Sequence, residues 1–485
     1  MKKSITKNYI YNLMYQILIL ILPLVTTPYV SRILGAENLG IYSYTVSITT
    51  FFILFGALGI GLYGQRQIAY QQEDKNKYSI TFWEIAFLKC ITLGISLVIF
   101  YFTFAIGKND YNTYYKILIF EIIGNMLDIT WFFTGLEEFK KTVSRNTLVK
   151  IISVISIFIF VKTKSDLYKY FIIYVISVLL GNISLWLYLP KYLKKIDFRK
   201  IKLSKHIKPV IGLFIPQVAI QLYTILDKAM IGTIISDKSE VGYYEQSQKI
   251  VKLLLTIITS IGTVMLPRIA NIFAKGETDK INKYMNLSFR AVFFLAFPII
   301  FGLIAVADAF VPIFFGSGYT NVIRLMKIIS PIILLIGISN VTGVQYLLPT
   351  KRQRQYTTSV VMGAIVNFIA NMLLISKFGA IGASIGTVLA EGTVTGIQIF
   401  FTRKDFQWKN ILKCGIHYLV LSIVFFVPCI MLKFFINDNI LLITLQIIVG
   451  IVIYSVLLLL SKDKMIVEIL NIIKNKKIEK AGQEN

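Results

Sequence analysis

The chain of 485 residues is 56% hydrophobic and only 16% charged, against about 25% charged in an ordinary soluble domain, and its mean hydropathy is +0.69. A soluble enzyme is all but excluded, because the apolar residues arrive in runs of about 20, the length that crosses about 30 Å of hydrocarbon. The balance of 51 Lys and Arg over 25 Asp and Glu, a net charge of +26, would suggest nucleic acid in a soluble protein. In a membrane chain it belongs first to cytoplasmic loops, which set orientation and meet anionic lipid, so no nucleic-acid partner is expected.

Apolar windows about 19 residues wide give about fourteen spans, near 9–31, 39–63, 82–106, 114–135, 145–161, 167–189, 209–234, 246–267, 286–306, 322–347, 357–375, 380–402, 411–433 and 440–460. The basic start, Met1 to Lys7, looks like a signal peptide, but the following run is too long and lacks a small-residue cleavage site, so it reads as a retained first span. Lys and Arg concentrate in alternate loops, from Lys2 and Lys3 through Lys191–Lys208 and Arg268–Arg290 to the tail after Lys462. That alternation predicts both termini on the cytoplasmic side of the membrane.

The long basic link Pro190–Lys208 separates two groups of six spans. At a constant offset of 202 residues Gly40 matches Gly242, Tyr42 matches Tyr244 and Arg66 matches Arg268. Six spans return the chain to its starting side, so these halves read as parallel repeats, an arrangement that places a substrate site between lobes. The expected architecture is an all-α polytopic membrane protein. It comprises a six-helix lobe over 1–200, a second over 201–403, an additional transmembrane pair over 404–461, and a cytoplasmic tail over 462–485.

No GxxxxGK[ST] loop, HExxH or GxSxG motif occurs, and no outer loop has room for a catalytic domain, which argues against an ATPase and against an enzyme. The three cysteines form no CxxC pair and there are two histidines, so neither a metal site nor a cofactor is expected. The informative residues are polar groups inside spans. Gln217, Gln221, Thr224 and Lys228 form one stripe at helical spacing; Lys249, Lys252, Thr256, Thr259 and Thr263 form another; Ser384, Thr387, Glu391, Thr395 and Gln398 a third; Glu121, Asn125 and Asp128 a fourth. Such stripes either join helices or line a wet cavity, and for the charged ones the cavity wall is the expectation.

An ionised group at membrane depth costs about 2.5–3.5 kcal/mol. Arg32, Lys228, Lys249, Lys252, Arg324 and Lys327 fall in the outer part of their spans, where positive-inside bias does not account for them. These six are the candidate substrate contacts, with Glu245 able to answer Lys249. Asp128, Asp227 and Glu391 are candidates for ion coupling or salt bridges. A cationic cleft open to lipid suits a substrate with an anionic head, sugars and an apolar tail, with phosphate held by Lys and Arg.

The run Ser31-Arg32-Ile33-Leu34-Gly35-Ala36-Glu37-Asn38-Leu39-Gly40-Ile41-Tyr42, then Arg66-Gln67-Ile68-Ala69, Leu266-Pro267-Arg268-Ile269-Ala270 and Phe378-Gly379-Ala380-Ile381-Gly382-Ala383-Ser384, resembles the Wzx-type polysaccharide-biosynthesis flippases. These belong to the multidrug/oligosaccharidyl-lipid/polysaccharide exporter superfamily. The resemblance implies two six-helix lobes in a V with two extra helices. It implies transport of an undecaprenyl-diphosphate-linked oligosaccharide repeat unit to the outer leaflet by alternating access, for capsular, exopolysaccharide or O-antigen-like assembly. Arg32, Arg66 and Arg268 match the family's recurrent motifs, Arg66 and Arg268 as lobe-closing candidates at cytoplasmic span ends. The expected partners are the polyprenyl-diphosphate-linked glycan, membrane lipids, and polysaccharide polymerase and chain-length machinery, with the chain itself a monomer. The competing readings are a drug/cation antiporter of the multidrug and toxin extrusion family, which would favour an acidic cavity, and a membrane glycan polymerase, which would need a larger outer loop.

Overall fold

The computed structural model describes residues 5–107 and 110–467, and no strand occurs among them. The tail expected from residue 462 lies outside the described residues from 468 onward. The chain forms two compact units, Met1–Glu245 and Gln246–Asn485.

The N-terminal unit opens with α1 (Ile5–Ala57), whose 53 residues bend at Gly35, with φ 79° and ψ 171°. Positive φ costs an L side chain about 1–2 kcal/mol, so this glycine lets two spans join without a loop. There follow α2 (Ile60–Tyr70), α3 (Lys75–Phe100), a π-helical turn over Tyr101–Ala105, α4 (Asn112–Met126), α5 (Thr130–Gly135), α6 (Phe139–Phe160), α7 (Leu167–Trp186), α8 (Leu189–Tyr192), α9 (Ser204–Ile234) and the start of α10 (Ser239–Ala274). Asp74 caps α3 by accepting the backbone N–H groups of Lys77 at 3.1 Å and Asn76 at 3.0 Å, bonds that hold its carboxyl below the usual carboxylate range. Leu34, Phe100, Tyr115 and Phe171, drawn from α1, α3, α4 and α7, are fully buried in one core. A second core gathers Tyr63, Phe82, Trp131 and Phe132.

α9 packs against α1 and α2, so this unit runs past the Pro190–Lys208 link. The turn after α9 and the start of α10 meet α1 at the two glycines matched at the offset of 202: a Cβ on Gly40 would lie 1.7 Å from the carbonyl oxygen of Lys238, and one on Gly242 would lie 2.1 Å from that of Ala36. Two backbones meet here because neither partner has a side chain.

The C-terminal unit continues through the rest of α10, then α11 (Thr278–Phe315), α12 (Thr320–Ile329), α13 (Ile332–Ser339), a π-helical stretch Asn340–Leu347, α14 (Gln353–Phe378), α15 (Ala380–Thr402), α16 (Trp408–Met431) and α17 (Asn439–Leu460). The hairpin α16–α17 docks on α11. The Tyr454 hydroxyl donates to Phe294 O at 2.9 Å, and Gln446 Nε2 donates to Cys429 O at 2.9 Å and Ala305 O at 3.3 Å.

Among the described residues twelve helical stretches are long and apolar enough to cross a membrane. One of them, Ile21–Tyr70, contains the Gly35 bend and covers two expected spans, and the 31 residues of α9 supply a further expected crossing. The expected count of about fourteen is therefore met approximately.

Gly40→Ala should destabilise the protein by about 1–3 kcal/mol, the usual cost of overpacking, read as a lowered melting temperature in detergent. Gly61→Ala, where a Cβ meets nothing within 4 Å, should leave the melt unchanged. Equal melts for the two variants would remove the close-approach explanation.

Candidate functional site

The turn between α9 and α10 concentrates charge in the N-terminal unit. Lys228 Nζ lies 3.0 Å from Glu245 Oε2, each side chain about one-fifth exposed at 22% and 21%. One residue earlier on α9, Asp227 is buried and accepts a hydrogen bond from the Tyr244 hydroxyl. Lys238 folds back to donate to Gly232 O at 2.6 Å and Ile235 O at 2.9 Å, satisfying carbonyls at the end of α9. Burial there pushes its ammonium below the usual lysine range. Lys228, expected as a substrate contact, thus has a carboxylate partner, and it is Glu245, the acid expected to answer Lys249.

The acid stripe of α4 turns into the same unit. Glu121 Oε1 accepts the Tyr174 hydroxyl at 2.7 Å. Asp128 lies 3.5 Å from Lys89 Nζ and accepts the Thr130 N–H at 2.9 Å. Lys89 also donates to the Asp128 carbonyl at 2.7 Å. Glu84 is held by His206 at 3.0 Å, Lys205 at 2.7 Å and the Lys202 N–H at 2.9 Å, tying the link after α8 and the start of α9 to α3. Tyr63 completes this group through a 2.7 Å bond between its hydroxyl and His206 Nδ1.

Two stripes of the same spacing have opposite environments in the C-terminal unit. On α15 Ser384, Thr387, Glu391, Thr395 and Gln398 are all buried. Thr395 donates to Leu335 O at 2.9 Å, Thr342 donates to Gln398 Oε1 at 2.6 Å, and Gln398 Nε2 donates to Ser359 Oγ at 3.0 Å. This stripe joins helices inside its unit, as does that of α4, where a cavity wall was expected. On α10, by contrast, Lys252, Thr256, Ser260 and Thr263 are exposed and Lys249 and Thr259 half-buried. Burial of the neighbouring Val251, Leu255 and Ile258 orients the helix. The comparable stripe on α9 is described only at Gln221, which is exposed, and at Lys228; the side chains of Gln217 and Thr224 lie outside the described residues.

The remaining candidates divide as follows. Arg32 is exposed on α1, and Arg324 is exposed on α12. Lys327 is not an isolated cation: its Nζ lies 2.6 Å from Asp308 Oδ1, and Lys433 engages Asp308 Oδ2. The sequence reading missed Asp308 and Lys433 because each falls at the edge of an expected span, 286–306 and 411–433, where a charge looks like a boundary. Arg66 is exposed beside the Tyr63 ring, at 5.9 Å. Arg268 lies 4.3 Å over the Tyr284 ring and donates to its hydroxyl. Both arginines are thus supported by aromatic rings of their own units.

Residues 5–273 match the family described as "Polysaccharide biosynthesis protein". The chain belongs to this family. Its relatives include the "Putative O-antigen transporter" of Escherichia coli (strain K12), 27% identical over 410 residues that cover 83% of this chain and 98% of the relative. Another is the "Probable low-salt glycan biosynthesis flippase Agl15" of Haloferax volcanii, 24% identical over 42% of this chain and 44% of its own length. The solved structure titled "Lipid II flippase MurJ, inward closed conformation" has the same fold, with a TM-score of 0.76 at 17% identity, covering 95% of this chain and 100% of that one.

In this chain Asp308→Asn should leave Lys327 and Lys433 mutually repulsive. A double-mutant cycle of Asp308→Asn with Lys327→Met should give a coupling of about 1 kcal/mol, shrinking with salt because both groups are about one-third exposed. Additive melts at low salt would contradict the pair.

Proposed function

We propose that the chain is a flippase that carries a polyprenyl-diphosphate-linked oligosaccharide from the cytoplasmic to the outer leaflet by alternating access. Undecaprenyl diphosphate is the carrier we favour, and a capsular, exopolysaccharide or O-antigen-like polymer the destination. The chain acts as a transporter and not as an enzyme, in a bacterial plasma membrane with both termini cytoplasmic. The working lobes are taken as 1–200 and 201–403, with 404–461 an accessory pair. It works as a monomer and passes its product to a polymerase and chain-length machinery.

The observation that carries this reading is the exposed face of α10. Lys252 stands there in line with Thr256, Ser260 and Thr263, on a helix long and apolar enough to cross the membrane. Thr256, Ser260 and Thr263 each donate to a carbonyl of their own helix, at 2.6, 2.7 and 2.7 Å, so the cost against acyl chains falls on the ammonium, which suits a hydrated, phosphorylated head. The O-antigen transporter and the glycan flippase among the relatives support the same substrate class. Arg32, Lys228, Lys249, Lys252, Arg324 and Lys327 are the proposed phosphate contacts, with Arg66 and Arg268 closing the cycle. Asp128 serves as a salt-bridge acid, a role its 3.5 Å contact with Lys89 supports; Asp227 and Glu391 are the remaining coupling candidates. A diphosphate of about two negative charges moving out of a negative interior gains about 4–5 kcal/mol per 100 mV, enough to drive transport without ATP.

Deleting the protein from its host should strand lipid-linked oligosaccharide in the inner leaflet, measured by its accessibility to glycosidase in oriented vesicles. The double reversal Lys249→Glu with Lys252→Glu should cut export by about tenfold or more, the equivalent of one lost charge-assisted phosphate bond, while Lys249→Arg with Lys252→Arg retains it. Export untouched by the reversal would remove the cationic face from the mechanism. Stranding absent, with efflux of organic cations instead, would overturn the flippase reading.

A further inference from the structure

Apart from the proposed phosphate contacts, α6 and α7 leave between them a groove of about 880 Å³. Small side chains give it depth: Ser153 and Ser156 from α6, Ser177 and Ser184 from α7. The hydroxyls of Ser177 and Ser184 donate to the carbonyls of Tyr174 at 2.6 Å and Gly181 at 2.7 Å on their own helix, so these serines turn their polar atoms to backbone. The rims are apolar and open, with Ile152 at 54% and Leu180 at 57% exposure. The trough has the volume and apolar lining that a hydrocarbon chain requires, and it runs along a helix of which only 6% of the membrane-depth window is buried.

Its two ends differ in charge. At one, Lys169 is paired with Asp166 at 2.6 Å. At the other, which the distribution of basic loops assigns to the cytoplasm, Lys141 and Arg145 stand one helical turn apart on α6. Neither is a loosely tethered surface cation. The Lys141 ammonium lies 4.0 Å over the Tyr192 ring and 5.3 Å from that of Tyr188, and it bonds the Tyr192 hydroxyl. Arg145 donates to Asn182 Oδ1 and Thr130 Oγ1, each at 3.2 Å. Of the nearby acids, Asp128 is engaged by Lys89 at 3.5 Å and also faces Arg145. Glu137 and Glu138, in the turn before α6, do not line the groove.

We propose that the α6–α7 groove binds an anionic glycerophospholipid of the cytoplasmic leaflet, with its phosphate at Lys141 and Arg145 and an acyl chain laid over the serines. A fixed pair of cations at one end of an apolar trough complements a phosphate head with a single chain entering sideways. The site is separate from the proposed transport contacts and its occupancy does not depend on what the protein transports.

The test is native mass spectrometry of the delipidated full chain in detergent, titrated with phosphatidylglycerol or phosphatidylcholine. Phosphatidylglycerol should give a discrete one-lipid adduct in preference to phosphatidylcholine. Lys141→Gln should weaken that adduct about fivefold, the value of one lysine near an anionic head. Ser153→Phe with Ser156→Phe, which fills the trough without touching a charge, should abolish it, and Lys169→Gln at the neutralised end should leave it within about twofold. Equal binding of the two lipids, an adduct that survives both the Lys141 and the serine variants, or displacement of phosphatidylglycerol by stoichiometric polyprenyl phosphate would each overturn the assignment, the last by giving the groove to an isoprenoid chain.

Discussion

An ionised side chain at the depth of the hydrocarbon costs about 2.5–3.5 kcal/mol unless it finds a counter-charge, hydrogen bonds or water, and the helices of this protein are organised by that penalty. Lys89 meets Asp128, Lys228 meets Glu245, Lys327 and Lys433 share Asp308, and Glu84 is enclosed by His206, Lys205 and a backbone N–H. Each of these contacts joins different helices or a helix to a link, so satisfying the charge also fixes the packing. Arg324 differs from Lys89, Lys228, Lys327 and Lys433 in its exposure.

Close backbone approach is the second device. Where α1 meets the α9–α10 turn, the Cβ positions of Gly40 and Gly242 are already filled by carbonyl oxygens of Lys238 and Ala36. Helices in lipid gain no hydrophobic drive from touching one another, so van der Waals contact and interhelical hydrogen bonds decide which faces meet. Gln398, bonded to Thr342 and Ser359 in the C-terminal unit, is the polar version of the same solution.

The functional reading follows from separating buried polar groups from exposed ones. α15 and α10 carry stripes of the same period, yet the first is consumed by helix contacts and the second is presented outward. The groove between α6 and α7 extends the same logic to lipid: an apolar trough with one neutralised end and one cationic end has a direction, and direction is what distinguishes a bound lipid from a solvating one.

Much of this was legible before any coordinates. Hydropathy and the distribution of Lys and Arg predict a helical membrane protein of about fourteen spans, and the phrase from Ser31 to Tyr42 points to its family because a glycine at positive φ and another at a backbone crossing leave little freedom in that segment. The offset linking Gly40 to Gly242 was visible too, although not that the two glycines meet. Partnership was not legible: Asp308 and Lys433 lie 125 residues apart in the chain, and their places at the edges of expected spans look like ordinary boundaries. Nor could periodicity tell the α10 stripe from the α15 stripe, since helical spacing puts side chains on one face without saying what that face meets. Composition and period are local properties and were determined by the sequence alone; pairing and exposure depend on which distant helix arrives alongside, and only the tertiary structure decided them.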